Sequence, residues 1–252
     1  MCSLTWLATE DGYELFFNRD ESRERLPARP PGLELRDGLE ILAPTDADAG
    51  GTWLGINAYG LTVGLLNGKG LAPAPKAPLS RGLLVRGLLD ATDTYEVERR
   101  LRAMDLTDRR AFRLVALEPG ADLSSAEWDG RELRCERLGA EGLPLSSSSL
   151  DPDGALENRQ RVLGGLREDS GDLSEHLLDA FHHSHDPKPS AVSACMHRPD
   201  AETVSFTRTR VSATEVELGY SPAPPCRRVP LSWIGVSRRQ PMAVPTRNAG
   251  GA

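Results

Sequence analysis

The feature that most restricts this chain sits at its amino end, where the segments Cys2 to Ala8 and Tyr13 to Asn18 flank the dipeptide Asp11-Gly12. Asp-Gly favours a type I′ turn, which needs positive φ at both central residues and joins antiparallel strands through two residues. The flanks are rich in Trp, Phe, Tyr, Leu and Thr, residue types that suit a pleated, half-buried surface. A two-residue turn pairs Glu10 with Tyr13, so Leu4 is expected opposite Arg19 and Cys2 opposite Glu21. Opposed residues share a face, and diagonal neighbours lie ~7–8 Å apart, within reach of an arginine. The hairpin alone therefore aims the Arg19 guanidinium at the Cys2 sulfur. A cation there favours the thiolate, which is the nucleophilic form. The plainer alternative is a strand end carrying a solvated charged pair. Removal of Met1 would leave Cys2 with both a thiol and a free α-amine.

The rest of the chain falls into alternating blocks. A charged, Pro-rich stretch from Glu21 to Pro31 precedes "GGTWLGINAYGLTVGLLNGKG", which reads as two short strands around a turn at Asn57 to Gly60. Glycines this dense suggest bulges or close backbone approach. Helix is expected from Leu79 to Met104, with Ser80 and either Asp93 or Thr94 as N-caps. Strands are expected at Ala111 to Glu118 and at Ala126 to Leu138, the latter turning at Asp129-Gly130. The Ser-rich loop "PLSSSSLDPDG" leads to helical patterns at Ala155 to Arg167 and Leu173 to His183. Strands follow at Ala191 to His197, Thr203 to Thr209 and Glu215 to Gly219. Strand pairs separated by helix pairs favour antiparallel sheets with helices outside over a parallel βαβ sheet. From Ser221 onward there are five arginines and no acidic residue, so the formal −7 divides into +5 on this tail and −12 on the body. Composition thus predicts one domain over residues 1–220 and a flexible Pro/Arg-rich tail over 221–252.

The acidic balance withholds the basic footprint that nucleic-acid binding needs. No apolar run approaches the ~20 residues of a membrane helix, and the first residues lack a signal peptide's basic flank and apolar stretch. The expected location is the cytoplasm. Cys2, Cys135, Cys195 and Cys226 are widely spaced with no Cys-x-x-Cys pair, so free thiols and no metal are expected. Two local clusters carry ligating residue types, His182-His183-x-His185 and Cys195-Met196-His197. The first falls in the last turn of an expected helix, where imidazolium simply suits the carbonyl end. In the second, strand alternation puts Cys195 and His197 on one face, one in the core and one at its rim.

Asn18-Arg19-Asp20-Glu21 is the motif that names the NRDE family, also called the transport and Golgi organisation protein 2 family. The chain resembles that family further in Met1-Cys2, in "GGTWLGIN" with the following Gly60, in "LLNGKG" and in Ser80-Arg81-Gly82. The same pieces are similar to N-terminal-nucleophile cysteine hydrolases of the choloylglycine hydrolase and penicillin V acylase branch. The resemblance is close as far as the first expected helices and looser beyond them. It implies an α+β fold, a four-layer αββα sandwich of two antiparallel sheets covered by helices. It also implies Cys2 as nucleophile, flanked by Arg19 and Asp20, with Asn67 as an oxyanion-hole asparagine and Arg159 as a second active-site arginine. Asn18, Glu21, Trp53, Asn57 and Ser147 become the implied substrate contacts. Relatives typically carry Ser-Asn before the Leu-Asp of the Ser-rich loop. Aligning on Leu150-Asp151 puts Ser147, a shorter donor, in the place of that asparagine.

The resemblance leaves three functions open, the third being an inactive relative that serves as a scaffold or interaction protein. In the first, Met1 is removed and the free amine, with a reference pKa of ~7.7–8, acts as base. It takes the thiol proton and later protonates the leaving amine of a small-molecule acyl amide, whose acyl group is hydrolysed off or transferred, with no cofactor. In the second, the chain is a non-catalytic carrier, because the family is associated with haem and lipid handling, and haem is then a ligand.

Overall fold

The computed structural model describes residues 2–70 and 78–240. The opening hairpin forms between β1 (Cys2–Ala8) and β2 (Tyr13–Ser22), but its register is shifted from the expected one. Cys2 pairs with Arg19, Leu4 with Phe17 and Ala8 with Tyr13. The link therefore runs from Thr9 to Gly12 and is closed by the Thr9 N–H donating to the Gly12 carbonyl at 3.1 Å. Gly12 does not supply the positive φ of a type I′ turn. A Cβ on it would collide with the Val211 carbonyl, so close approach is what position 12 requires. Side chains alternate along a strand, so a shift by two positions leaves every residue on its original face. Cys2, Leu4 and Arg19 still project together, with Arg19 now directly opposite Cys2.

The first sheet is completed by β10 (Leu145–Ser147), β11 (Ala201–Val211), β12 (Glu215–Ser221) and β13 (Ser232–Ser237). Its order is β10-β1-β2-β11-β12-β13. The second sheet runs in chain order through β3 (Arg29–Arg36), β4 (Leu39–Thr45), β5 (Leu54–Asn57), β6 (Thr62–Asn67), β7 (Phe112–Leu117), β8 (Leu123–Trp128) and β9 (Leu133–Leu138). Neighbouring strands in both sheets are antiparallel. Leu4, Leu15, Phe17, Leu54, Ile56 and Val115 fill the space between the sheets. Helices α1 (Arg81–Leu88) and α2 (Thr94–Ala103) cover the second sheet, packing Leu84, Val85, Leu88 and Val97 against Val63, Leu65 and Leu114. Helices α3 (Pro152–Ser170) and α4 (Glu175–His183) cover the first. The result is the four-layer αββα sandwich. It explains why β2 carries Leu15-Phe16-Phe17 without alternation, since all three are fully buried. Leu15 and Phe17 face the second sheet, while Phe16 stacks on His182 of α4 at 5.9 Å.

Several elements depart from the sequence expectation. The hairpin β3–β4 forms where none was expected, turning at Asp37-Gly38 with φ of 49° and 80°. That pair, not Asp11-Gly12, has the positive φ values of a type I′ turn, with Arg36 opposite Leu39. Pro30 and Pro31 fall at a register shift on the edge strand β3, where a missing N–H is tolerated. Asp93 caps α2 by accepting the Glu96 N–H at 2.7 Å, whereas Ser80 precedes α1 without a side-chain cap bond. The strand expected at 191–197 does not form, because the Ser193 and Ala194 carbonyls accept from side chains of α3 and β2 instead. The Pro/Arg-rich tail was expected to be flexible, yet it contributes β13. Trp233 lies over Gly219 and receives the Arg210 guanidinium at 4.6 Å, so apolar residues spaced along "SWIGVS" outweigh the basic composition. The end of that tail, residues 241–252, lies outside the described residues. Among the described residues no helix is long and apolar enough to cross a membrane, which says nothing of β-barrel spans.

His182 makes the outer layer sensitive to acid. It is fully buried among Phe16, Phe181 and Phe206, and its Nε2 lies 2.9 Å from Thr5 Oγ1. Burial pushes its pKa well below the usual imidazole range, and the charges of His183, Arg159 and Arg208 add to this. The unfolded chain takes up that proton near pH ~6.5 while the native state does not, so stability falls as pH drops below this value. The expected slope is about 1.4 kcal/mol per pH unit until the native pKa is reached. Urea unfolding at pH 5 and pH 7 should show a smaller pH difference for His182→Gln than for the wild type. Equal differences would remove His182 as the cause.

Candidate active site

A cavity of about 430 Å³ opens where the Cys2 end of β1 meets the second sheet. Cys2, Arg19 and Asp20 line it from the first sheet, and Trp53, Asn67 and Arg81 from the other side. Its far wall depends on a backbone contact between two sequence motifs. A Cβ on Gly51 would collide with the backbone of Gly82, and the Thr52 N–H donates to the Gly82 carbonyl at 3.0 Å. The "GGTWLGIN" and Ser80-Arg81-Gly82 segments are thereby joined at one wall.

Arg19 sits opposite Cys2 but is strongly engaged elsewhere. Its guanidinium lies 4.1 Å over the Trp53 ring and donates to Glu21 Oε2 and Asp46 Oδ2, each at 3.2 Å. Asp46 is also held by Arg25 at 2.6 Å. Cys2 is only 7% exposed. Burial pushes its thiol up, the amino-terminal charge pulls it down, Asp20 raises it again, and Arg19 lowers it least. Arg19 does favour the thiolate, as expected, but the thiol is raised on balance. Proximity was read correctly, but desolvation outweighs a cation already shared between two carboxylates.

Alternation turns the Asn18 and Asp20 side chains to the opposite face of β2, toward the helices, although Asp20 also borders the cavity. There Arg159 of α3 is fully buried. Its Nη1 donates to the Cys2 carbonyl at 3.2 Å and to Ser146 Oγ at 2.7 Å. Its Nε and Nη2 donate to the Ser193 carbonyl at 3.2 and 2.9 Å, and Nη2 lies 3.5 Å from Asp20 Oδ2. Burial lowers the Arg159 pKa, opposed by the Asp20 charge. Thr203 Oγ1 donates to Asp20 Oδ1 at 2.6 Å. Arg159 therefore backs Cys2 from behind instead of lining the cavity.

The other implied contacts divide in the same way. Glu21, Trp53 and Asn67 line the cavity. Asn18 instead donates to the His182 and Ala194 carbonyls, both at 2.9 Å, tying β2 to the outer layer. Asn57 donates to the Leu89 and Ala91 carbonyls and accepts the Tyr59 and Leu61 N–H groups, so it locks its own turn onto the end of α1. Ser147 pairs with Cys2 across β10–β1, yet its Oγ is buried without a partner and it lines a second cavity of about 300 Å³. Asn67 lies on the wall of both cavities. Sequence reasoning missed Arg25, Asp46 and Thr203, which no local pattern marks. Arg81 was visible only as part of its motif. Of the histidines in the first cluster, His182 is enclosed by aromatic rings and His183 bonds the Asp179 carbonyl at 2.8 Å. His185 instead joins Cys195, His197 and Cys226.

Residues 1–208 match the family described as Transport and Golgi organisation 2. No curated protein matches the chain significantly. Among solved structures, the chain is similar to the Caenorhabditis elegans N-acylethanolamine-hydrolyzing acid amidase (NAAA) ortholog, with a TM-score of 0.61 at 12% identity, covering 82% of this chain and 92% of that one. It is also similar to a mutant of conjugated bile acid hydrolase from Clostridium perfringens, with a TM-score of 0.57 at 10% identity, covering 94% and 92%. A second variant of that hydrolase gives 0.53 at 12% identity, covering 98% and 100%. At such identities the likeness is one of fold, the αββα sandwich.

Proposed function

The chain belongs to the Transport and Golgi organisation 2 (TANGO2) family, and from that premise we propose that it is an N-terminal-cysteine amidohydrolase acting on a small-molecule acyl amide. The observation that carries the reading is the pairing of Cys2 with Arg19 at one wall of a cavity whose other wall holds Asn67. Met1, which lies outside the described residues, must be removed to free the Cys2 amine. That amine takes the thiol proton as sulfur attacks the amide carbon, and Asn67 Nδ2 donates to the developing oxyanion. The amine then protonates the leaving nitrogen, and water hydrolyses the thioester. Burial disfavours the Cys2 thiolate, so the sulfur's proton passes to the amine as attack proceeds, and Arg19 supports the charge that develops. Asp20, anchored by Thr203 and Arg159, orients the amine. The neighbouring cations Arg81 and Arg110 on the cavity wall favour an amide carrying an anionic group. A nucleophilic free thiol suits the reducing cytoplasm.

The direct test is mass spectrometry of the intact protein before and after incubation with a broad panel of acyl amides. Loss of Met1 and an acyl adduct on Cys2 are expected. Complete Met1 removal and an alkylatable Cys2, with no adduct from any amide, would leave the carrier reading standing. Ser147 favours that second reading, because it lines the other cavity and not the one holding Cys2. Asn67→Ala is expected to lower kcat by about 10²–10³-fold with little change in KM, as removal of one oxyanion donor does. A variant within threefold of wild type would assign the oxyanion to another donor.

A further inference from the structure

His185, Cys195, His197 and Cys226 converge from three places in the chain. His185 follows the end of α4, Cys195 and His197 lie in the next loop, and Cys226 sits in the short 3-10 turn Pro225–Arg227 after β12. One ligating atom from each lies within 4.8 Å of all the others. His197 Nε2 is 3.5 Å from Cys195 Sγ and 3.4 Å from Cys226 Sγ. The rings of His185 and His197 meet edge-on with centroids 5.0 Å apart. Around a tetrahedral zinc ion with Zn–S of about 2.3 Å and Zn–N of about 2.05 Å, adjacent sulfur and nitrogen stand about 3.5 Å apart.

Hydrogen bonding alone does not satisfy this group. One ring nitrogen of His197 faces two sulfurs and can share a single proton, and His185 Nε2 is buried with no partner. The other nitrogen of His197, Nδ1, lies 3.6 Å from Glu202 Oε2. A carboxylate behind an imidazole is the arrangement that fixes the tautomer of a metal-bound histidine. Two thiols and two imidazoles suit a borderline-soft divalent ion, and four protein ligands close its coordination sphere. Haem takes at most two axial ligands and needs room for its macrocycle, which four converging side chains deny.

We propose that these four residues bind one zinc ion in closed tetrahedral coordination, with both thiols losing their protons to solvent on binding. The ion fastens the loop between α4 and β11 to the segment after β12. That loop supplies the Ser193 carbonyl to Arg159 and the Ala194 carbonyl to Asn18. It also supplies the Met196 N–H to Thr203 Oγ1 at 2.8 Å, and Thr203 in turn holds Asp20. Zinc thereby braces the wall behind Cys2 without touching the cavity, whatever reaction the cavity performs.

The test uses the full chain purified under reducing conditions without added metal. Elemental analysis should find ~1 zinc per chain, and Cys195→Ser/Cys226→Ser should fall to less than a tenth of that. Cobalt(II) exchanged into the wild type should give the strong visible absorption of a tetrahedral site with thiolate charge transfer. Chelation should lower the thermal midpoint by roughly 5–10 °C, and zinc should restore it. Cys2→Ala should keep its zinc, which separates this site from the nucleophile. Absence of zinc and of the cobalt spectrum in reduced wild type, or a Cys195–Cys226 disulfide in freshly purified protein, would overturn the proposal. Full zinc retention by the double variant would do the same.

Discussion

Cys2→Ala is expected to abolish amide turnover while the sandwich remains folded, and retention of any residue ahead of Cys2 is expected to abolish it equally. The two changes remove different halves of one group. Alanine removes the sulfur and keeps the amine, whereas an uncleaved extension keeps the sulfur and converts the amine, the proposed base, into an amide. Loss in both variants is specific to an N-terminal nucleophile, because a side-chain base elsewhere would spare the extended protein. The stability change should be small. Cys2 is buried at the start of β1, and deleting its single sulfur costs about 0.5–1.5 kcal/mol, on the scale of deleting one methyl group. Circular dichroism and urea midpoints near wild type, beside turnover at background, are the expected pair of results. A carrier gives the reverse pattern, with ligand binding that tolerates both changes and no turnover in the parent. Full activity in the extended protein would end the N-terminal-nucleophile reading even if Cys2→Ala were dead.

What could be read from the sequence was whatever depends on parity and local composition. Cys2, Leu4 and Arg19 share a face in the expected register and in the actual one, because a slip of two positions preserves alternation. The register itself was not legible, since Gly12 answers to the Val211 carbonyl at the far end of β11, a contact no local pattern announces. Hairpin β3–β4 was masked by two prolines and many charges, although Asp37-Gly38 is the same dipeptide that drew attention at Asp11-Gly12. The presence of Arg19 beside Cys2 was legible, but the balance at the thiol was not. Desolvation depends on everything packed around the sulfur, and Asp46 comes from a separate strand end to share the guanidinium. The cluster of His185, Cys195, His197 and Cys226 was legible only in pieces, because His185 and the pair Cys195 and His197 stood in two separate local patterns. Only the fold joins those pieces, and the last member, Cys226, lies in a stretch whose composition suggested a flexible tail.

Arg159→Met is expected to destabilise the protein by about 3–5 kcal/mol, the range for breaking a buried ion pair from one side. The side chain is fully buried, so its removal admits no water to replace what is lost. The Asp20 carboxylate loses its buried countercharge, and the Cys2 and Ser193 carbonyls lose charged donors. Methionine fills much of the volume, which separates the polar loss from a cavity effect. At about 2–4 °C per kcal/mol for a chain of this size, the thermal midpoint should fall by roughly 6–20 °C. Adding Asp20→Asn should recover part of that loss, since the charge that Arg159 balanced disappears, and the double variant should be more stable than the sum of its parts. Arg159→Lys should fall between, because an ammonium restores the charge but cannot fork to Cys2, Ser146 and Ser193 together. The order Met, Lys, wild type in stability, with the double variant above the single Met variant, identifies Arg159 as the brace behind the nucleophile. If Arg159→Met instead left the midpoint within about 2 °C of wild type and lost only turnover, Arg159 would have to reach the substrate, and the wall of the cavity would have to open toward α3 during the reaction.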